Sequence, residues 1–242
     1  MKRLVDVFIS VFLLVLIGPI LLAFMVLVWR QDGKSPFYLA PRVARGGGIF
    51  RMVKLRSMVV DADKSGVNST KIGDTRVTKV GEVIRKFKLD ELTQLWNVFI
   101  GDMSLVGPRP NTYAWGVDLY TPVEMALISV RPGITDFASI IFSDEGEILA
   151  GSPNPDITYN QLIRPWKSRL GLFYIEKQSF KLDIQLVALT ALTVFSRRRA
   201  LLLTWVLLRD LGAPSDLIKV AQRSNGLVPT PPPGASEVAF SN

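Results

Sequence analysis

Residues 7–29, VFISVFLLVLIGPILLAFMVLVW, contain no charged side chain. As a straight α-helix the run is roughly 34 Å long at about 1.5 Å per residue, enough to cross the hydrocarbon core of a bilayer. A cleaved signal peptide fits poorly, because the apolar run is too long and Trp29-Arg30-Gln31-Asp32 lacks the small residues of a cleavage site. The segment is therefore expected to remain in the mature protein. Gly18-Pro19 lies near its middle, and proline both removes a backbone hydrogen bond and clashes with the preceding turn, so a kink is expected there. Lys2 and Arg3 precede the run, and Arg30, Lys34, Arg42 and Arg45 follow it, whereas a single span concentrates its positive charge on one side. A helix that bends at Gly18-Pro19 and returns to the face it entered accounts for both features. A kinked helix crossing once is the alternative, since membrane helices tolerate proline.

The rest of the composition narrows the chemistry. None of the 242 residues is His or Cys, which excludes a Ser-His-Asp triad, a thiol nucleophile, a Cys/His zinc site and a disulfide framework. Any catalysis falls to carboxylates, Lys, Arg, hydroxyls, backbone or a hard metal ion. Lys plus Arg outnumber Asp plus Glu by 29 to 21, for a net charge of +8. Together with a mean hydropathy of +0.28, this points to a membrane-bound surface that attracts phosphate. Nucleic acid would rest on charge alone, because no recognised binding motif or aromatic-basic pattern accompanies it.

Beyond the apolar run, SPFYLAP, the turn Gly46-Gly47-Gly48 and IFRMVKLRSM predict a β-hairpin with a basic face. Residues 61–78 are polar and weakly patterned, as in a mobile loop. A helix is expected to start near Val80, and Leu89, Leu92, Leu95, Trp96 and Phe99 fall close to helical spacing up to Gly101. GDMSLVGPRP (101–110) and RPGIT (131–135) are turn segments that each hold an arginine beside glycine and proline. Such arginines suit bidentate phosphate recognition, and equally surface salt bridges. Helical patterns resume over 166–193. The stretch 200–213, after Arg197-Arg198-Arg199, reads as an interfacial helix or as a core-packing one. From Gly226 the chain is Pro-rich, as in a disordered or partner-binding tail.

The densest chemistry lies in RKFKLDELTQLWNV (85–98), where Asp90 and Glu91 stand side by side, downstream of Arg85, Lys86 and Lys88. On a helix the two carboxylates point about 100° apart, yet both can reach one cation or one phosphate. An acidic pair alone is commonly a solvated surface feature. Here it belongs to a longer pattern: VKLRSM (53–58), DTRVTKVGEVIRKFKLDELTQLWNVFIGDMSLVGPRP (74–110), RPGIT (131–135) and YIEKQSFKLDIQLVALT (174–190). In that order these segments resemble the bacterial monotopic phosphoglycosyl transferases, across most of residues 1–195.

The resemblance implies transfer of a sugar 1-phosphate from a UDP-sugar to a polyprenol phosphate, undecaprenyl phosphate being expected, at the cytoplasmic face of a bacterial inner membrane. Asp90 matches the family's nucleophile, and Glu91 its acidic partner, with both carboxylates expected at Mg²⁺. Arg85 and Arg109 match residues expected to contact the diphosphate, with Lys54, Arg56 and Arg131 as further candidates. Gly18 and Pro19 match the break of a re-entrant anchor. Expected partners are the two substrates, membrane lipid, a second copy of the chain and downstream glycosyltransferases, and not nucleic acid. Two positions depart from the pattern. Thr93 replaces a usual proline, with effects expected only on the first helical turns. Gly171 replaces a frequent Asp, so a polar contact of the nucleotide or sugar site is expected to be missing.

The expected fold is α+β and mainly helical. It comprises a re-entrant membrane anchor (1–32), a cytoplasmic transferase domain with a small β-hairpin and interfacial amphipathic helices (33–195), an interfacial helical extension (196–225) and the Pro-rich tail (226–242). A competing function is a non-catalytic membrane scaffold that recruits partners through its basic face and tail.

Overall fold

The computed structural model describes residues 2–65, 70, 73–114, 116–224 and 226–240. The apolar run lies within one 31-residue helix, α1 (Lys2–Asp32), which continues through Pro19. The expected break at Gly18-Pro19 therefore does not end the helix. Proline costs the hydrogen bond its own nitrogen would make, and the turns on either side keep theirs.

Both ends of α1 are tied to the rest of the chain by polar side chains. Near the N-terminus, Lys2 Nζ donates to Val106 O and to Tyr174 Oη, each at 3.0 Å, and pairs with Asp183. Arg3 donates to Phe99 O at 2.7 Å. The buried Asp6 accepts from Ser104 Oγ at 2.9 Å and Leu105 N at 3.1 Å. At the far end, Arg56 holds Asp32, with Nη2 2.7 Å from Oδ1. Between these ties Phe8, Phe12, Val15, Leu16, Ile20, Leu22, Val26 and Leu27 face outward.

The predicted hairpin is present. Strands β1 (Phe37–Val43) and β2 (Ile49–Leu55) pair antiparallel, from Phe37 opposite Leu55 to Val43 opposite Ile49. Strand side chains alternate faces, so Lys54 emerges on the side where Phe50 and Met52 are buried. Three short helices follow: α2 (Lys79–Lys86), α3 (Leu89–Leu92) and α4 (Leu95–Ile100). Thr78 caps α2, its hydroxyl accepting from Gly81 N at 2.9 Å. Within the expected loop lie a 3-10 turn at Ala62–Ser65 and a bridge between Met58 and Val77. Residues 66–69, 71 and 72, and the expected mobility there, lie outside the described residues.

The expected apolar stripe is split. Lys88 adopts φ 53°, left-handed for a non-glycine residue, and separates α2 from α3. Leu89, Leu95 and Val98 turn into the core, while Trp96 and Phe99 stay partly exposed, with ring centroids 5.5 Å apart. Gly101 ends α4 at φ 105°, as expected.

Strands β3 (Ser104–Val106) and β4 (Gly133–Thr135) pair in parallel, Ser104 with Gly133 and Val106 with Thr135. Here the glycines of the two turn motifs meet backbone to backbone. A Cβ on Gly133 would lie 2.1 Å from Gly107 N, and one on Gly107 2.5 Å from Arg131 O, so neither position admits a side chain. Helices α5 (Phe137–Ile141), α6 (Glu145–Ile148) and α7 (Pro155–Thr158), a π-helical turn (Tyr159–Ile163), and α8 (Arg164–Lys177) and α9 (Phe180–Phe195) complete the body. α5 sits at its centre, with Phe137, Ile140 and Ile141 fully buried among residues of β3, α8 and α9.

Of the two readings for the stretch 200–213, core packing is the one observed. In α10 (Arg197–Asp210), Ala200, Thr204 and Leu208 recur every four residues and are buried, while Leu202 and Leu203 remain exposed. Ala213 and, from α11 (Ser215–Gln222), Leu217 and Ala221 join the same core. Arg197 and Arg223 both pair with Asp144, at 2.8 and 2.9 Å.

The Pro-rich tail is a correction. Residues 226–240 dock on the body instead of extending from it. Thr230 N donates to Gln161 O at 3.0 Å, Arg169 Nη2 to Pro231 O at 2.9 Å, and Gln161 Nε2 to Ala239 O at 3.1 Å. Pro232 and Pro233 are buried. Proline-rich backbone loses little entropy on ordering, and its carbonyls are good acceptors, so a few polar side chains suffice to hold it. Deleting 226–242 is expected to cost about 1–3 kcal/mol and to lower Tm by several degrees, measured by thermal unfolding in detergent.

Candidate active site

Four elements converge on the acidic pair. The left-handed turn at Lys88 starts α3, so Asp90 and Glu91 fall in its first turn. β2 is laid alongside by Asn97, whose Oδ1 accepts from Val53 N and whose Nδ2 donates to Arg51 O, both at 2.8 Å. This brings Lys54 Nζ to 3.8 Å from Asp90 Oδ2. The backbone contact of Gly107 with Gly133 sets the turn that carries Arg109, whose Nη2 donates to Glu91 Oε1 at 2.7 Å. α2 packs on Ser57, and Arg85 Nε donates to Ser57 Oγ at 2.9 Å.

The two carboxylates are held in different electrostatic states. Burial pushes the Asp90 carboxyl above its usual range, with Glu91 adding to the shift, against the pull of Lys54, Arg85 and Arg109. Burial also acts on Glu91, but Arg109, Lys54 and Lys88 outweigh it and hold this carboxyl down to about 2. Lys54 is lowered by burial, which Asp90 opposes, and Arg85 is lowered by burial as well. Asp90 thus meets a cation at ion-pair distance, while Glu91 is locked by a short charged hydrogen bond.

The bacterial sugar transferase family model matches residues 1–197. The chain belongs to the bacterial sugar transferase family. Over 142 residues it is 40% identical to a UDP-N-acetylgalactosamine-undecaprenyl-phosphate N-acetylgalactosaminephosphotransferase of Aeromonas hydrophila, covering 58% of this chain and 34% of that protein. Over 204 residues it is 38% identical to an undecaprenyl-phosphate glucose phosphotransferase of Komagataeibacter xylinus, covering 81% and 36%. A UDP-glucose:undecaprenyl-phosphate glucose-1-phosphate transferase of Caulobacter vibrioides is 35% identical over 173 residues, covering 69% and 64%. The chain thus spans about a third of the length of the first two.

Of the residues singled out in this family member's sequence, Lys54, Asp90, Glu91 and Arg109 form one contiguous cluster, with Arg85 at its edge. Arg56 lies elsewhere. It is buried, and its guanidinium is taken up by Asp32, Ser35 O and Val28 O. It follows the last residue of β2, where it neutralises the carboxylate at the end of α1. Arg131 is exposed, with Nε donating to Gly101 O at 3.0 Å.

Both departures from the family pattern acquire a structural account. Thr93 Oγ1 lies 2.9 Å from Val53 O and 3.0 Å from Asp90 O. Its hydroxyl therefore links the turn bearing Asp90 to β2, an effect beyond the helical turn itself. Gly171 faces apolar neighbours: a Cβ there would lie 2.8 Å from Leu127 Cδ2 and 3.4 Å from Pro108 Cβ. The position packs α8 against Leu127 and the turn before Arg109.

Sequence reasoning did not reach the residues beyond Arg109. Tyr159, Lys167 and Glu145 come from the π-helical turn, α8 and α6 respectively, and only folding brings them to the site. No local pattern marked them.

Proposed function

We propose that the chain transfers a sugar 1-phosphate from a UDP-sugar to a polyprenol phosphate at a membrane surface, with Asp90 as nucleophile. The carrying observation is the asymmetry of the acidic pair. Glu91 is clamped by Arg109 at 2.7 Å, whereas among the described residues Asp90 is ion-paired only with Lys54, at 3.8 Å, leaving its oxygens available to phosphorus. In the first step an Asp90 oxygen bonds to the β-phosphorus, the bond from that phosphorus to the bridging oxygen breaks, and UMP departs with the electron pair. In the second, an oxygen of the lipid phosphate attacks the acyl phosphate, forming the polyprenyl diphosphate sugar and restoring Asp90. Lys54, Arg85 and Arg109 neutralise phosphate oxygens along this path.

Among the described residues no group of three or more Asp or Glu could enclose a metal ion. Two adjacent carboxylates suit Mg²⁺, which keeps water and takes its remaining ligands from substrate phosphates. Asp90 and Glu91 would hold it, and when bound it supplies charge neutralisation at the diphosphate. The relatives' names supply the lipid class, undecaprenyl phosphate. The full chain with undecaprenyl phosphate, Mg²⁺ and a panel of UDP-sugars is expected to release UMP, and to stop when Mg²⁺ is chelated. A chain that binds lipid and releases no UMP from any UDP-sugar would be a scaffold, a reading already weakened by the docked tail.

The same proposal covers topology. α1 is long and apolar enough to cross a membrane, yet its first turn and its last residue both bond to one body. A straight crossing would leave one of these ties across roughly 30 Å of hydrocarbon. We read α1 as entering and leaving on the cytoplasmic face of the inner membrane, with the exposed Trp96 and Phe99 beside Arg3 at the lipid boundary. Lys2→Cys and Arg45→Cys, in a chain that has no other cysteine, are expected to label from the same side. Labelling from opposite sides would refute re-entry.

A further inference from the structure

We propose that Tyr159, Lys167 and Glu145 form the sugar-reading end of the site, contacting the hydroxyls of the hexose. This rests on the transferase reading above. Arg109, Asp136, Tyr159, Arg164 and Lys167 line one cleft, and Glu145 joins it through its ion pair with Lys167. Lys167 Nζ is paired with Glu145 and sits 5.2 Å from the centroid of the Tyr159 ring. An ammonium carries three donors and Glu145 takes one, so Lys167 retains hydrogen-bonding capacity toward the cleft. Among the described residues none hydrogen-bonds the Tyr159 hydroxyl.

Charge separates this cluster from the phosphate-binding one. Lys54, Arg85 and Arg109 bring three cations to Asp90 and Glu91, a net positive balance suited to a diphosphate. Lys167 and Glu145 cancel. A neutral donor–acceptor pair beside an aromatic face matches a neutral polyol, whose hydroxyls need both donors and acceptors and whose C–H face packs on a ring. Position supports the same assignment. The sugar is bonded directly to the phosphate that Asp90 attacks, whereas the uridine lies a further phosphate away. Arg109, hydrogen-bonded to Glu91, also lines the cleft, so this cluster lies one side chain from the acidic pair. The relatives' names differ in the sugar they carry, N-acetylgalactosamine in one and glucose in two, so the family's sugar-contacting groups have something to discriminate.

The test compares the wild-type full chain with Tyr159→Phe, Lys167→Met and Glu145→Gln, using UDP-glucose, UDP-galactose, UDP-N-acetylglucosamine and UDP-N-acetylgalactosamine. It reads kcat/KM for each by UMP release, and separately the inhibition constant of UMP. At least two variants are expected to shrink the ratio between the best and second-best sugar by roughly tenfold, the worth of one lost hydrogen bond to a hydroxyl. UMP inhibition should stay within about twofold of wild type, since a single hydrogen bond lost from UMP would move it roughly tenfold. Tyr159→Phe keeps the ring and its packing, which guards against misfolding. Unchanged sugar ratios with weakened UMP inhibition would reassign the cleft to the nucleotide and overturn the proposal, as would variants that change neither. No UMP release by the wild-type chain from any of the four would instead sink the transferase reading itself.

Discussion

Asp90→Asn is expected to lower UMP release by about 10³-fold or more, the loss typical of removing a covalent nucleophile, while the fold is retained. The amide has nearly the carboxyl's shape, and the backbone of this turn is held independently through Thr93 and Val53. Single-turnover assays should detect no labelled protein when the variant meets a sugar-labelled UDP-sugar, whereas wild type should retain label until lipid acceptor is added. Full activity in Asp90→Asn, with deamidation excluded by mass spectrometry, would remove the nucleophile from the mechanism. The pH profile provides a second check with a definite sign. Asp90 must be ionised to attack, and burial raises its pKa. Activity is therefore expected to fall on the acid side at a pH above the usual carboxylate range. Glu91, held down to about 2, stays charged throughout that window and does not contribute to the limb. An acid limb at the ordinary carboxylate pKa would contradict the burial of Asp90.

Glu124→Leu is expected to destabilise the protein by about 3–5 kcal/mol, the cost of leaving a buried charge without its partner. Glu124 and Arg164 are 0% and 2% exposed and pair at 3.1 Å. Ser168 Oγ donates to the same carboxylate at 2.6 Å and Thr121 N at 3.0 Å, while Arg164 also donates to Leu119 O. These bonds fix the start of α8, which carries Lys167, against the segment that precedes β4. Urea unfolding in detergent would measure the loss. Glu124→Leu combined with Arg164→Met is expected to cost less than Glu124→Leu alone, because the orphaned guanidinium is removed too. Strictly additive losses would show that the two side chains do not act as a pair.

Legibility of the fold followed the range of the interactions that decide it. The hairpin was legible because strand alternation and a triple-glycine turn are local. The start of α2 near Val80 was legible because the pattern that opens there is local as well, whereas its cap, Thr78, was shown by the structure. The stripe from Leu89 to Phe99 was misjudged at Trp96 and Phe99. Its regular spacing concealed the left-handed Lys88 and the division into α3 and α4, which turn different faces inward. The tail was misjudged because proline content says that a segment cannot join a sheet or helix, not whether carbonyl acceptors find Gln161, Arg169 and Thr121 waiting.

Within the site, Asp90, Glu91 and Arg85 lie in one short block, and Arg109 sits in a turn whose glycine and proline spacing is itself a signal. Their chemical types were therefore readable together, the more so because the absence of His and Cys leaves phosphoryl exchange few other agents. Which of the two carboxylates is clamped, which arginine is occupied elsewhere, and what lies beyond Arg109 could not be read. Those outcomes depend on pairings across the chain: Glu91 with Arg109, Arg56 with Asp32, Lys167 with Glu145.

The sequence alone determined an apolar anchor, a hairpin and a carboxylate-arginine inventory, since each is set by neighbours in the chain. Only the tertiary structure decided that both ends of the anchor hold the same body, that Asp90 and Glu91 stand in unlike fields, and that a Lys167–Glu145 ion pair beside the Tyr159 ring adjoins them. Burial and long-range ion pairing are properties of the packed chain, and no window of residues contains them.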